Sequence, residues 1–178
     1  GVFGYTFPAE EYKNVIVDWY QKRYNWEIKS DWVVLLSGVV PGINIALKAL
    51  TRPGDSVIIQ PPVYYPFFSA VKNNGNILLE NQLVLKEEKG NKKYEIDWED
   101  LEDKLENNLG VSTLIFCYPH NPVGRVWQLD ELNKLLDIAE KYNLLIISDE
   151  IHADFVYDGQ HQPLGSIRPE LSDRIITI

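Results

Sequence analysis

The chain has 178 residues, 26 of them acidic and 17 basic, for a net charge of −9. Its 45% hydrophobic content is enough to fill the core of one domain, and the acidic balance with scattered Lys and Arg disfavours a nucleic-acid surface. No apolar run approaches the ~20 residues of a membrane helix, Gly1–Tyr5 lacks the basic start of a signal peptide, and a single cysteine, Cys117, leaves neither a disulfide framework nor a Cys-rich metal site; a cytoplasmic protein is expected.

In chain order, Tyr12, Val15, Ile16, Trp19 and Tyr20 recur at i, i+3, i+4, i+7 and i+8, one face of a helix bounded by Pro8 and Asn25. A short extended stretch, Trp32 to Leu36, leads to Ser37-Gly38-Val39-Val40-Pro41-Gly42, which opens a helix through Leu50 with Pro41 in its first turn. The turn Pro53-Gly54-Asp55 feeds a strand from Ser56 to Gln60. A helix from about Tyr65 to Asn73 stops at Gly75, and a strand follows over Ile77–Leu79. Lys86 to Lys93 carries mixed charges around a turn and reads as a solvated hairpin tip. Asp97 is placed to cap a helix with Glu99 and Asp100 in its first turn, where the dipole favours acids.

The apolar run Thr113-Leu114-Ile115-Phe116-Cys117-Tyr118 reads as a buried strand that enters Pro119-His120-Asn121-Pro122-Val123-Gly124-Arg125. Leu129, Leu132, Leu135, Leu136 and Ala139 form the stripe of a helix ending near Tyr142. Leu144-Leu145-Ile146-Ile147 is a second buried strand, closed by Ser148-Asp149-Glu150-Ile151-His152, and Arg174–Ile178 is a last strand. Strands alternating with helices predict an α/β fold, a mostly parallel, doubly wound sheet flanked by helices. A chain with no methionine that stops on an apolar strand is expected to be a fragment.

The chemistry concentrates at the strand ends. An open α/β sheet binds ligands at its carboxyl edge, and Asp149 is carried there, where a buried acid is costly without a cationic or proton-donating partner. Gly38 lets the backbone approach a ligand, and free N–H groups at the following helix start favour a phosphate. Tyr64, after Pro61-Pro62-Val63, offers a flat ring for stacking. Taken singly, the structural reading is the better one for three of these, a strand-to-helix turn for Gly38, a core or surface aromatic for Tyr64 and a turn residue for Asn121, and only for Asp149 are the two readings even. Cys117 reads as a small core residue. Strand alternation turns Glu150 away from the side that Asp149 faces, so Glu150→Ala is expected to be mild.

In order and together, Phe3-Gly4-Tyr5-Thr6, Ser37-Gly38-Val39-Val40-Pro41, Gln60-Pro61-Pro62-Val63-Tyr64, Pro119-His120-Asn121-Pro122-Val123-Gly124-Arg125 and Ser148-Asp149-Glu150-Ile151-His152 resemble the fold-type I pyridoxal phosphate (PLP) enzymes of the class I/II aminotransferase superfamily. Within it, the chain is most similar to the cystathionine β-lyase branch, the MalY/PatB-like carbon–sulfur lyases. The resemblance implies an N-terminal helical segment over residues 1–30 and an incomplete PLP-binding large domain over 31–178, without the small C-terminal domain.

By the same resemblance, Asp149 pairs with the pyridine nitrogen of PLP and Asn121 bonds its phenolic oxygen. Tyr64 stacks on the ring, Gly38, Val39 and Val40 cradle the phosphate by backbone, and His152 lies near the phenolic oxygen. Tyr5 faces substrate, in the neighbouring subunit's site of a homodimer. Cis peptide bonds are implied at Pro61-Pro62 and Asn121-Pro122. The Schiff-base lysine is expected beyond Ile178, since Lys48 and Lys72 sit in helical patterns facing solvent, and this chain alone is expected to be inactive. The implied reaction is α,β-elimination of cystathionine or a cysteine-type thioether, giving thiol, pyruvate and ammonia. Two other readings stay open: an aminotransferase, and an aminotransferase-like sensor domain of a transcription regulator.

Overall fold

The computed structural model describes residue 4 and residues 8–88, 90–108 and 110–178. The chain forms two compact units, Gly1–Leu36 and Ser37–Ile178. In the first, helix α1 (Glu10–Tyr24) has Glu10 and Glu11 in its first turn and Lys22 and Arg23 in its last, each sign at the dipole end that favours it. Asn25 ends it in the left-handed conformation, with φ of 50°. The predicted extended stretch is extended at Val33, but Trp32 is not part of it. Ser30–Trp32 is a 3-10 turn, and 33–36 joins no ladder, because an apolar run without alternation or a pairing edge does not specify one.

The second unit runs through α2 (Val39–Leu50), β1 (Ser56–Ile59), α3 (Pro66–Asn73), β2 (Ile77–Glu80), β3 (Val84–Glu88), β4 (Asn91–Glu95) and α4 (Trp98–Asn107). It continues with β5 (Val111–Cys117), α5 (Leu129–Lys141), β6 (Leu145–Asp149), α6 (Leu164–Ile167) and β7 (Ile175–Thr177). Five strands form one sheet in the order β2-β1-β5-β6-β7, every neighbouring pair parallel. The charged hairpin is β3 paired antiparallel with β4, separate from the sheet; Lys89 of its tip lies outside the described residues. Among the described residues no helix is long and apolar enough to cross a membrane.

Side-chain alternation divides the core in two. Val57, Ile59, Ile115, Cys117 and Ile147 pack on one face with Ile43 and Leu47 of α2 and Phe67 and Val71 of α3. Ile58, Leu114, Phe116 and Ile146 pack on the other with Leu101 of α4 and Leu132, Leu135 and Leu136 of α5. A sheet covered on both faces needs strands apolar at every position, which is why β5 and β6 read as unbroken aliphatic runs. Leu129, expected in the buried stripe of α5, is 55% exposed; it opens the helix, and burial starts one turn later, at Leu132. Asp97 caps α4 as predicted, its carboxylate accepting from Asp100 N–H at 3.1 Å.

The chain reverses direction across the sheet between β1 and β5, and the exit of β1 is pinned by an amide. Fully buried Asn81 accepts from Gln60 Nε2 at 2.9 Å and donates to Asp97 O at 2.9 Å and Asp100 Oδ2 at 2.8 Å. Asn81→Ala leaves the buried Gln60 amide without that acceptor and is expected to destabilise the fold by about 1–3 kcal/mol. A melting temperature unchanged from the parent would show that the network contributes nothing net.

Candidate functional site

Three strand exits and one helix start meet in a cleft of about 450 Å³ lined by Val39, Val40, Pro41, Tyr64, Cys117, Asn121, Asp149, Ile151 and His152. It opens at the carboxyl ends of β1, β5 and β6, beside the reversal between β1 and β5, the place where open parallel sheets leave a crevice. Asp149, Asn121 and Tyr64 therefore share one concavity with the Val39-Val40 turn. Gly38 is not part of the lining. It is the N-cap of α2, with φ of 141°, a conformation that side chains rarely adopt. No side chain caps α2, so its first N–H groups remain available to an anion. Tyr5 lies outside the described residues.

The corners after β1 and β5 are proline-built and tied together. The Pro61-Pro62, Tyr118-Pro119 and Asn121-Pro122 bonds are all cis. His120 is buried, and its Nε2 lies 3.1 Å from the Pro62 carbonyl; a carbonyl only accepts, so Nε2 carries the proton. Burial holds this imidazole down to about 4, so the bridge is made by a neutral ring. Asn121 N–H donates to Cys117 Sγ at 3.3 Å, and the thiol donates to Pro119 O at 3.5 Å. Desolvation pushes that thiol up to about 12, which keeps it protonated. Cys117 is thus a cleft wall as well as a core residue. The signal was available in the sequence: strand parity and pairing set Cys117 beside Asp149 on the same face.

Asp149, 3% exposed, is the centre of the cleft's electrostatics. Its Oδ1 accepts from Ile151 N–H at 3.3 Å. Burial raises its pKa, with Glu150 adding to the rise and Ile151 N–H and His152 opposing it. His152 is half-buried, its ring 6.0 Å from that of Phe155. The half-buried ring of Tyr64 makes edge contacts with Tyr65 and Phe67. A flat heteroaromatic cation with an anionic arm fits this set: a buried carboxylate for the cation, an amide and an imidazole for ring substituents, a tyrosine face, and a helix N-terminus for the anion.

Strand alternation does send Glu150 to the other side of the sheet, but that side is also interior. Glu150 is 6% exposed and accepts from Ser148 Oγ at 2.8 Å and Leu164 N–H at 3.0 Å, with His161 Nε2 2.7 Å away. Glu150 thus faces away from Asp149 as expected, but its burial and partners mean that Glu150→Ala is expected to destabilise the fold. Losing this carboxylate strips buried donors of their acceptor, a change of about 1–3 kcal/mol or more. Sequence reading missed the pair because His161 stands eleven residues away across a polar loop.

Asp149, held above the usual carboxylate range by burial, lowers the stability of the ligand-free fold as pH rises through its folded-state pKa. Asp149→Asn keeps an acceptor for Ile151 N–H without the charge. Ligand-free Asp149→Asn is expected to melt higher than the parent at pH 7, the gap closing in acid once the carboxyl is protonated. Equal melting temperatures at both pH values would show that the buried charge carries no cost.

The chain matches the family described as aminotransferase class I and II over residues 2–178. It is 39% identical over 178 residues to cystathionine beta-lyase PatB of Bacillus subtilis, covering 99% of this chain and 45% of that protein. It is 31% identical over 162 residues to an aspartate aminotransferase of Sulfolobus acidocaldarius, covering 90% and 39%. The structure of cystalysin from Treponema denticola, which contains a pyridoxal 5'-phosphate cofactor, superposes with a TM-score of 0.90 at 46% identity, over 99% of this chain and 44% of that one. The chain thus spans less than half the length of these relatives. A parallel sheet wound on both faces, a cleft at its carboxyl edge and a family match along nearly all its residues agree: the chain belongs to the aminotransferase class I and II family.

Proposed function

We propose that this chain is the PLP-binding part of a carbon–sulfur β-lyase that cleaves cystathionine or a cysteine-type thioether to a thiol, pyruvate and ammonia. The observation that carries the reading is the buried Asp149 carboxylate, in one cleft with Asn121, Tyr64 and the start of α2. Bound PLP supplies an electron sink next to the substrate's α-carbon. Asp149 holds the proton on the ring nitrogen, since a nearby anion favours the protonated form. The Asn121 amide and the His152 ring orient the phenolic side of the ring, and Tyr64 covers a face. The N–H groups of Val39 and Val40 receive the phosphate at the helix start that Gly38 permits. The lysine that bonds the cofactor belongs to a segment outside these 178 residues, Tyr5 faces the substrate, and the protein works as a homodimer.

Likeness to both PatB and an aspartate aminotransferase keeps transamination as the second reading, because both reactions need the same held ring. The full-length protein, incubated with cystathionine, is expected to release pyruvate and thiol. Amino-group transfer from an amino acid to 2-oxoglutarate in place of that release would make it an aminotransferase. In the same assay Asp149→Ala is expected to lose about 100-fold or more in turnover, since each 1.36 kcal/mol of lost transition-state stabilisation is tenfold. Near-parental turnover would mean that another acid serves the ring nitrogen.

A further inference from the structure

The Glu150 carboxylate closes a loop. Residues 151–163 leave the end of β6, pass through solvent and return at α6, whose first residue, Leu164, donates its N–H to Glu150 Oε1. Ser148, before the loop, donates to the same oxygen, and His161, near its end, sits on Oε2. The His161 ring lies 4.5 Å from that of Tyr118, whose backbone N–H bonds Asp149 O at 2.9 Å. The loop's tip is exposed, with Phe155 61% and Tyr157 94% accessible, so its order comes from its base. Its first two residues, Ile151 and His152, line the cleft, and Ile151 N–H bonds Asp149.

We propose that Glu150 is a positioning residue for the cleft on the opposite side of the sheet. By holding both ends of the 151–163 loop, it sets Ile151 N–H and the His152 ring against Asp149. This rests on the PLP reading above. Glu150 touches neither ring nor substrate in this account; it acts through the loop base. Its carboxylate accepts from Ser148 and Leu164 with one oxygen and meets His161 with the other. Glutamine reproduces the first oxygen with its carbonyl and can donate to an imidazole nitrogen with its amide, whereas alanine removes everything.

Two readouts test this in the full-length protein. Without cofactor, chymotrypsin, which cuts after aromatic residues, is expected to cleave Glu150→Ala at Phe155 or Tyr157 at least about tenfold faster than the parent, a shift of about 1.4 kcal/mol in loop opening. Titration with PLP, followed by absorbance of the bound cofactor, is expected to show a comparable loss of affinity and an altered spectrum in Glu150→Ala. Glu150→Gln restores both towards the parent. Should Glu150→Ala fail to fold, Ser148→Ala removes one bond to the same oxygen and is read the same way, with smaller changes. A Glu150→Ala protein with lowered melting temperature but parental cleavage, affinity and spectrum overturns the inference, as does faster cleavage with unchanged PLP binding. A parent that binds no PLP overturns the cofactor reading itself and this inference with it.

Discussion

Asp149 and Glu150 are consecutive carboxylates that leave one strand on opposite sides of a sheet with helices on both faces. Both are almost wholly buried. Solvent does little for charges so buried, so the fold must supply partners. Glu150 receives two donors and an imidazole within 3.0 Å. Asp149 accepts from one backbone N–H, and burial raises its pKa. The contrast separates a structural acid from a binding one better than burial does. A carboxylate with a full set of partners stabilises the chain, whereas one left short of them and facing a cleft is a deficit that a cationic ligand makes good.

The rest of the cleft depends on the same edge. All strand pairs in the sheet are parallel, so the exits of β1, β5 and β6 come out side by side, and residues far apart in sequence share one wall. The neutral His120 links two of these exits through Pro62.

Much of this was legible in the residues. The aliphatic runs of β5 and β6 announced strands buried on both faces, and the alternation of helix with strand announced the winding. Asp97 announced its own cap, since an Asp ahead of further acids has an electrostatic preference that tertiary contacts did not override. What escaped depended on contacts distant in sequence. The burial of Glu150 follows from what covers the far face, and its partner His161 lies across a loop with no periodicity to place it. The run Val33 to Leu36 stays unpaired, because β-branched and aliphatic residues form a strand only where an edge exists to pair with. Cys117 was read as a core residue only; its place beside Asp149 follows from parity together with the pairing of β5 and β6.

The loop between β6 and α6 shows how such a site tolerates change near its centre. Closing a loop costs little more as it lengthens, so the exposed tip around Phe155 and Tyr157 can vary while His152 and His161 at the two ends stay fixed. The ends are held by a buried carboxylate, where bonds are strong and replacement is costly. The tip, with Phe155 and Tyr157 in solvent, carries little of the packing. A fixed base with a free tip keeps Ile151 N–H on Asp149 whatever the tip carries, so the groups that hold the ring nitrogen are insulated from surface variation a few residues away.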